Sequence, residues 1–536
     1  MNSRFLTLPS LLFVLGVLAP ACDPPAPGPQ GDSHTNWLRT CEADDECGAL
    51  SCVCGLCTLT CSADADCSSM QGAACLPPSQ SGNAALCNEQ RPLAVGMCLP
   101  EAPPSQVAVD TSLQFQTLTG FGATVGYAED ELSAFTDRAA LDEALFAGLG
   151  LDVLRFRNRY GEVPDETLSQ ATAIVSAATA SLGRAPLVLL GSWSPPAALK
   201  QNGATFCGSD PTTCKLTRNA AGDFDYAGLA EYFKSSLAAY AKVGFLPDYL
   251  SIQNNPDWVP SGGAVNEASR FLATEGKLDV AVNGVKVSVS YPGYREALDA
   301  VLEALGDLPT RPRMLAPDLS GLSGTERYIG ALQGAPFDAI AHHLYGTDAR
   351  NFDLDGLRTV AQLHDDMGMP VFQTEMQANG FDTAVLMHHA LVDGGASMYL
   401  QTALVGPLSG PAMNSTALVG LGDGELVLQG PYFAMSHYSR FTDPGWVRVA
   451  ASTEAEGLLT SAWLAPDHAS LAVVLTNTSS ARRAVSLSLG TEKVSSARVT
   501  LSAFDGAERM SDLGAWSPGR SIVLPARSIA TVLIEE

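Results

Sequence analysis

Tyr249-Leu250-Ser251-Ile252-Gln253-Asn254-Asn255-Pro256-Asp257-Trp258 decides how this chain is organised. A short apolar, β-prone run stops at two amides and a proline. That is the pattern of a buried parallel strand delivering polar side chains to the mouth of a barrel. Further on, Met369-Pro370-Val371-Phe372-Gln373-Thr374-Glu375 repeats the pattern and ends in a carboxylate. Two strand ends that each present one side chain to a shared pocket form a site only if both lie on the same rim of a closed sheet.

Working outward from these runs, short apolar strands alternate with amphipathic helices from Gly120 onward, the signature of βα units around a parallel sheet. Eight strands are expected, at 120–125, 152–157, 186–192, 248–254, 313–318, 338–343, 370–375 and 396–402. Together they predict an α/β fold, a (β/α)8 TIM barrel over residues 117–440. Asp225 precedes Tyr226, Leu229, Phe233, Leu237 and Tyr240 at helical spacing, and Gly244 closes the helix. Leu354, Leu357, Ala361 and Met367, ended by Gly368 and Pro370, repeat that logic. Lys277 to Ser290 breaks the rhythm. Its alternating valines around Asn283-Gly284 predict a hairpin inserted after the fourth strand, on the side where substrate loops sit. Beyond Pro444 the helical pattern gives way to short alternating strands, which predicts a flanking β-sandwich from residues 441–536, with the strand-like 105–116 completing it.

With 536 residues, 46% of them hydrophobic, the chain has ample material for a large core and for more than one domain. A formal charge of −26 repels phosphate backbones and anionic membrane surfaces, so nucleic acid is not an expected partner. The thirteen cysteines divide into Cys22, ten between Cys41 and Cys98, and the pair Cys207 and Cys214, a distribution that suggests export. Residues 1–21 carry one basic residue and an apolar run too short to span a bilayer, and read as a signal peptide. Ala19-Pro20-Ala21-Cys22 resembles a bacterial lipoprotein cleavage box, although the usual leucine sits one place early, as Leu18. Cys22 is the lipidation candidate, since setting it aside leaves an even number of cysteines; a disulfide at Cys22 is the alternative. Residues 22–39, rich in proline, read as a tether. A disulfide-rich module follows at 40–99, in which Cys41-Glu-Ala-Asp-Asp-Glu-Cys47 recurs as Cys61-Ser-Ala-Asp-Ala-Asp-Cys67. Its acidic runs lack the spacing of a calcium loop and are expected to be solvated turns. Disulfides are favoured over zinc or iron–sulfur ligation there.

Gly120-Phe121-Gly122, Trp193-Ser194-Pro195-Pro196, Gln253-Asn254-Asn255-Pro256-Asp257-Trp258, His342-His343-Leu344-Tyr345-Gly346, Thr374-Glu375 and Ser439-Arg440-Phe441-Thr442-Asp443-Pro444-Gly445 stand in order along the chain. Together they resemble glycoside hydrolase family 30, over roughly residues 105–536. The resemblance implies a retaining O-glycosidase of clan A acting on a β-linked glycan, with the nucleophilic carboxylate at the end of strand seven, here Glu375. The family's acid/base glutamate belongs at the end of strand four, where this chain has Asn255. An amide has no ionisable proton, and general acid–base assistance is worth about 10²–10⁴ in rate. Three readings are open. The protein binds carbohydrate without cutting it; another carboxylate among Asp257, Glu267 and Asp318 serves instead; or the chemistry needs only Glu375.

Around these two positions the resemblance places Arg155, Trp193, Asn254, Asp318, His343 and Tyr345 at the substrate pocket. Arg155 is expected to hold Glu375 ionised and Trp193 to stack on a sugar ring, with simple ion pairing and rim packing as the alternatives. Of His342 and His343, neighbours on one strand, one should face the pocket. A Cys207–Cys214 disulfide would stiffen the loop after strand three. No histidine and carboxylate spacing suggests a catalytic metal, and no cofactor is expected. The expected protein is a monomer that meets carbohydrate outside the cell, as an envelope lipoprotein or a secreted protein, touching membrane only through a lipid anchor.

Overall fold

The structure, a computed structural model, describes residues 36–37, 41–70, 73–77, 95–100, 104–208, 210–259, 267–282, 284–306, 308, 310–408, 415–490 and 493–535. The expected leader at 1–21, Cys22 and most of the tether lie outside the described residues. Among those described, no helix is long and apolar enough to cross a membrane. The chain divides into two compact units, Met1–Pro100 and Glu101–Glu536.

In the first unit, few large apolar side chains are available and disulfides do the cross-linking. They pair Cys41 with Cys52, Cys47 with Cys57, Cys61 with Cys75 and Cys67 with Cys98. Cys54 is disulfide-bonded as well, so the cysteines clustered here are not free to bind metal. The sequence repeat is a structural one. In the first copy the Asp44 carboxylate accepts the Cys52 N–H at 2.6 Å, and in the second the Asp64 carboxylate accepts the Cys75 N–H at 2.8 Å. Each aspartate thus clasps the half-cystine that is bonded to the cysteine opening its own repeat. Glu46 and Asp66 likewise accept the N–H groups of Glu42 and Ser62. The acidic runs, expected to be solvated turns, are exposed but serve as internal clasps, because an ionised carboxylate is the strongest acceptor available to backbone N–H groups that no sheet pairs.

The second unit contains the barrel. Its strands are β1 (Gly120–Gly126), β2 (Val153–Arg157), β3 (Leu187–Gly191), β4 (Tyr249–Ser251), β5 (Arg313–Leu319), β6 (Ala339–His343), β7 (Val371–Met376) and β8 (Ala396–Gln401). Each is parallel to the next and β8 closes on β1. All eight strands expected from the sequence are present. Alternate side chains, among them Val153, Leu189, Tyr249, Leu315, Phe372 and Met398, fill the barrel interior as one apolar cluster. Their neighbours pack outward under the helices. Gly122 is required on β1, since a Cβ there would collide with the Val153 carbonyl. The helix Tyr226–Lys242 starts where the Asp225 side chain accepts the Gly228 N–H, and Leu354–Met367 starts in the same way at Asp353. The inserted hairpin is Gly276–Val282 paired with Val285–Tyr291, between β4 and the following helix Tyr294–Leu305.

The C-terminal strands form one nine-stranded ladder. Leu524 and Val485, near one edge, share an apolar cluster with Val499 and Trp516 near the other, so the sheet folds over on itself around a single core. Ser105–Thr117 runs through it, antiparallel to Val447–Ser452 on one side and parallel to Arg483–Ser488 on the other. Buried polar contacts centred on Gln116 and His437 join sandwich and barrel. Gln116 donates to the Ala396 carbonyl and accepts from Arg448 Nε at 2.7 Å. His437, on the helix Gly430–Ser439, meets Thr531 Oγ1 at 3.0 Å and Ser502 Oγ at 2.9 Å.

Burial, with the charge of Arg440, pulls the His437 imidazole down to about 3. Between that value and the ordinary histidine value of about 6.5, the unfolded chain takes a proton at this site and the native protein does not. The stability contributed by the neutral ring is therefore complete above pH 6.5 and is lost as pH falls below it. His437→Gln should flatten the acid limb of a stability-versus-pH profile by up to about 1.4 kcal/mol per pH unit in that window, measured by denaturant unfolding from pH 7 to 5. The readout is the difference between variant and parent, because burial raises Asp152 to about 6 and Glu129 to about 7, which titrate in the opposite sense.

Candidate active site

All eight strands are parallel, so the ends of β2, β4, β5, β6 and β7 deliver their side chains to one rim. At its centre lies Arg155 on β2, wholly buried. Its Nη1 donates to Glu375 Oε2 at 2.7 Å, and its Nη2 donates to Asn254 Oδ1 at 2.6 Å and Asp318 Oδ2 at 2.9 Å. One guanidinium thus fastens the ends of β4, β5 and β7 to β2, a task suited to its rigid fork of donors. Its other face lies 4.6 Å from the centre of the Trp193 ring.

Glu375 is 7% exposed. Its Oε1 accepts the Tyr345 hydroxyl at 3.0 Å. Burial and the charge of Glu375 push that phenol well above its usual range, so Tyr345 keeps its proton and donates. Both carboxylate oxygens are therefore oriented while the group still faces a cavity of about 380 Å³. The cavity is walled by Trp193 and Tyr127, by Val125, Ala128, Val405, Pro407 and Leu421, and by a few polar groups, Thr124, Glu131, Gln377 and Thr402.

Asp318 and His343 correct the expectation that they face substrate. Both are wholly buried beneath the rim. The register of β5 on β6 shifts between Pro317 and Leu319, and Asp318 takes a left-handed φ of +61°, as a bulge that re-aims a side chain does. Its carboxylate then accepts from Ser251 Oγ and Thr374 Oγ1, each at 2.6 Å, and lies 3.3 Å from His343 Nε2. Burial alone would raise its pKa; the charge of Arg155 and the contacts with His343 and Ser251 outweigh burial and hold it well below the carboxylate range. His342 is buried too, and burial pulls it down to about 4, so neither histidine opens to the pocket. Asn254 is buried with its carbonyl oxygen committed to Arg155.

Asn255 closes β4 with φ +51°, and its N–H donates to the Asp318 carbonyl at 3.0 Å. The side-chain Oδ1 is buried and has no hydrogen-bond partner among the described residues. The carboxylates considered as substitutes are each engaged elsewhere. Asp257 accepts the Ser320 N–H and hydroxyl, both at 2.9 Å. Glu267 accepts Arg157 Nη1 at 3.0 Å and the Tyr127 hydroxyl at 2.8 Å.

A second arginine layer, not expected from the sequence, lies beside the first. Two residues along β2, and so on the same face as Arg155, Arg157 bridges Glu162 and Glu267 and lies 4.5 Å from the Tyr127 ring centre. The two guanidinium groups thereby set two aromatic walls, Tyr127 and Trp193, at 65° to one another. The signal for Tyr127 was its place just past β1, where a barrel strand ends. Cys207 and Cys214 are bonded, and the pair packs on Ala268. The Ala268 N–H donates to the Thr205 carbonyl, while Lys200 Nζ donates to Ser194 Oγ and Thr205 O at 3.0 Å. The loops after β3 and β4 are stapled together in this way.

Residues 445–532 match the glycosyl hydrolase family 30 beta sandwich domain. The whole fold is similar to solved structures at low identity. A family 30 endoxylanase from Clostridium papyrosolvens aligns with a TM-score of 0.61 at 18% identity, over 81% of this chain and 100% of that one. The catalytic domain of a family 30 xylanase C from Talaromyces cellulolyticus aligns at 0.61 and 19%, over 80% and 100%. An endo-β1,6-glucanase aligns at 0.57 and 15%, over 82% and 94%. At these identities the likeness establishes a shared fold.

Proposed function

We propose that this chain, whose residues 445–532 match the family 30 beta sandwich domain and whose fold is that of family 30 glycoside hydrolases, cleaves β-linked sugars with retention, Glu375 acting as the nucleophile. The observation that carries the reading is the presentation of Glu375 at the barrel rim. One of its oxygens is held by Arg155 and the other by Tyr345, and its open side faces the cavity. A carboxylate so oriented can attack an anomeric carbon without reorganising. Trp193 and Tyr127 supply flat apolar faces against which a sugar ring can rest. Asn255 occupies the position of the acid/base and supplies no proton. The disulfides suit an oxidising compartment, so we place this activity outside the cytoplasm.

Incubation with an activated 2-deoxy-2-fluoro β-glycoside tests the nucleophile. The expected result is a covalent adduct on the peptide containing Glu375, seen by mass spectrometry and absent in Glu375→Gln. Binding of the same sugar with no adduct would favour the second reading, a carbohydrate-binding protein without catalysis, which the identity of Asn255 supports. A carboxyl restored at the rim should raise turnover of a β-linked disaccharide by about 10²–10⁴. Asn255→Asp is the first variant to measure, since aspartate tolerates the left-handed backbone found there better than glutamate does.

A further inference from the structure

Resting on the reading of Glu375 as nucleophile, we propose that the substrates are conjugates in which one sugar is β-linked to a compact aglycone that departs as a stable anion, such as a phenol or an enol, and not sugar-to-sugar linkages. At the end of β4 stands an amide. Asp257 is spent on Ser320, Glu267 on Arg157 and Tyr127, and Asp318 is sealed beneath the rim in the grip of Arg155. The undescribed stretches that follow β4 and β8, 260–266 and 409–414, contain no aspartate or glutamate. Among the described residues lining the cavity, Glu131 is the one carboxylate besides Glu375, and it lies exposed on the short helix Glu129–Ala134.

A leaving oxygen that takes no proton in the transition state must carry the electron pair itself. A sugar alkoxide is too basic to do this at a useful rate, whereas a phenolate does so readily. The cavity agrees with a small conjugate. At about 380 Å³ it falls at the small end of the roughly 300–1,000 Å³ typical of ligand pockets, and its walls are largely apolar and aromatic. A second sugar would leave most of its hydroxyls without partners against Val405, Pro407 and Leu421.

In the first step an oxygen of the Glu375 carboxylate bonds to the anomeric carbon. The bond from that carbon to the aglycone breaks, and its electron pair leaves on the aglycone oxygen. In the second step a water oxygen bonds to the same carbon, the bond to Glu375 breaks with its electrons returning to the carboxylate, and the water proton passes to solvent. Without a base at the rim this second step is the slow one, so the glycosyl-enzyme accumulates.

The test uses the whole chain and 2,4-dinitrophenyl, 4-nitrophenyl, phenyl and methyl β-glycosides of glucose, galactose, xylose and N-acetylglucosamine, beside cellobiose and xylobiose. For the accepted sugar, kcat/KM should fall by about 10²-fold or more from the dinitrophenyl to the phenyl glycoside, with no measurable cleavage of the disaccharide. Dinitrophenol should appear in a burst equal to the enzyme concentration. Azide, a nucleophile that needs no deprotonation, should accelerate the steady state and yield the β-glycosyl azide. Asn255→Asp should flatten the dependence on leaving group. A rate indifferent to the leaving group but lost in Glu375→Gln would overturn the leaving-group proposal while sparing the nucleophile. Glu131→Gln or Glu267→Gln slowing the phenyl glycoside selectively would do the same, by exposing a hidden proton donor. No release dependent on Glu375 from any of the four sugars would overturn both.

Discussion

Replacing Glu375 by glutamine should eliminate release of dinitrophenol from an accepted β-glycoside, a loss on the order of 10⁴-fold or more in kcat/KM. The amide keeps the size of the side chain and an oxygen for Arg155 or Tyr345, so binding should change little and the loss should fall on kcat. Mechanistic economy makes the effect large. Where an acid, a base and a nucleophile share the work, deleting one leaves the others; in the proposed mechanism Glu375 works without a proton-transfer partner, and among the described residues lining the cavity the one other carboxylate, Glu131, lies exposed on its short helix. A variant retaining more than a hundredth of parental kcat would show that the carboxylate is electrostatic furniture and that chemistry happens elsewhere.

Arg155→Met should lower stability by about 3–5 kcal/mol, the range observed when one member of a buried ion pair is removed. The cation lies between two carboxylates, Asp318 wholly enclosed and Glu375 nearly so. Without it, Asp318 either keeps a charge in an apolar interior or takes up a proton, which disturbs the Ser251 and Thr374 hydroxyls that donate to it. Arg155→Lys should recover only part of the loss, because a single ammonium cannot reproduce the planar fork that meets Glu375, Asn254 and Asp318 together. Denaturant midpoints of the two variants, together with Asp318→Asn and the double variant Arg155→Met/Asp318→Asn, measure the coupling. If the double variant is no more stable than Arg155→Met, the unpaired charge of Asp318 is not the cause.

Much of this was legible in the sequence because barrel strands are written as short apolar runs ending in polar residues, and period alone locates them. Glu375, Trp193 and Tyr345 were nominated by the motifs that resemble family 30, and Arg155 by being a charged residue on a barrel strand that needs a partner. Asp318 and His343 stand at strand ends too, yet they point inward. Local shifts in register decided that, and one residue of slip exchanges the two faces of a strand. Such shifts leave no trace in hydrophobic pattern. Tyr127 and Arg157 were missed for the converse reason: in sequence an aromatic in a turn and an arginine at a strand's end look like ordinary surface, and only with β2 and the turn after β1 side by side does the buried Arg157 meet the exposed Tyr127 ring. The roles of Asp44 and Asp64 were hidden in the same way, since acidic turns in solvent and acidic turns that clasp a backbone share one composition.

The strand Ser105–Thr117 has to wait for its partners. Val447–Ser452, beside which it lies, is made about 330 residues later. At a translation rate of roughly 5–20 residues per second, that leaves an unpaired edge for roughly 15–65 s while the barrel assembles. A ribosome-bound chain arrested anywhere before residue 447 should therefore expose a sticky β-edge that chaperones can hold. Any recombinant fragment begun at the barrel itself would strip the sandwich of an interior strand, however tidy the domain boundary looks on paper.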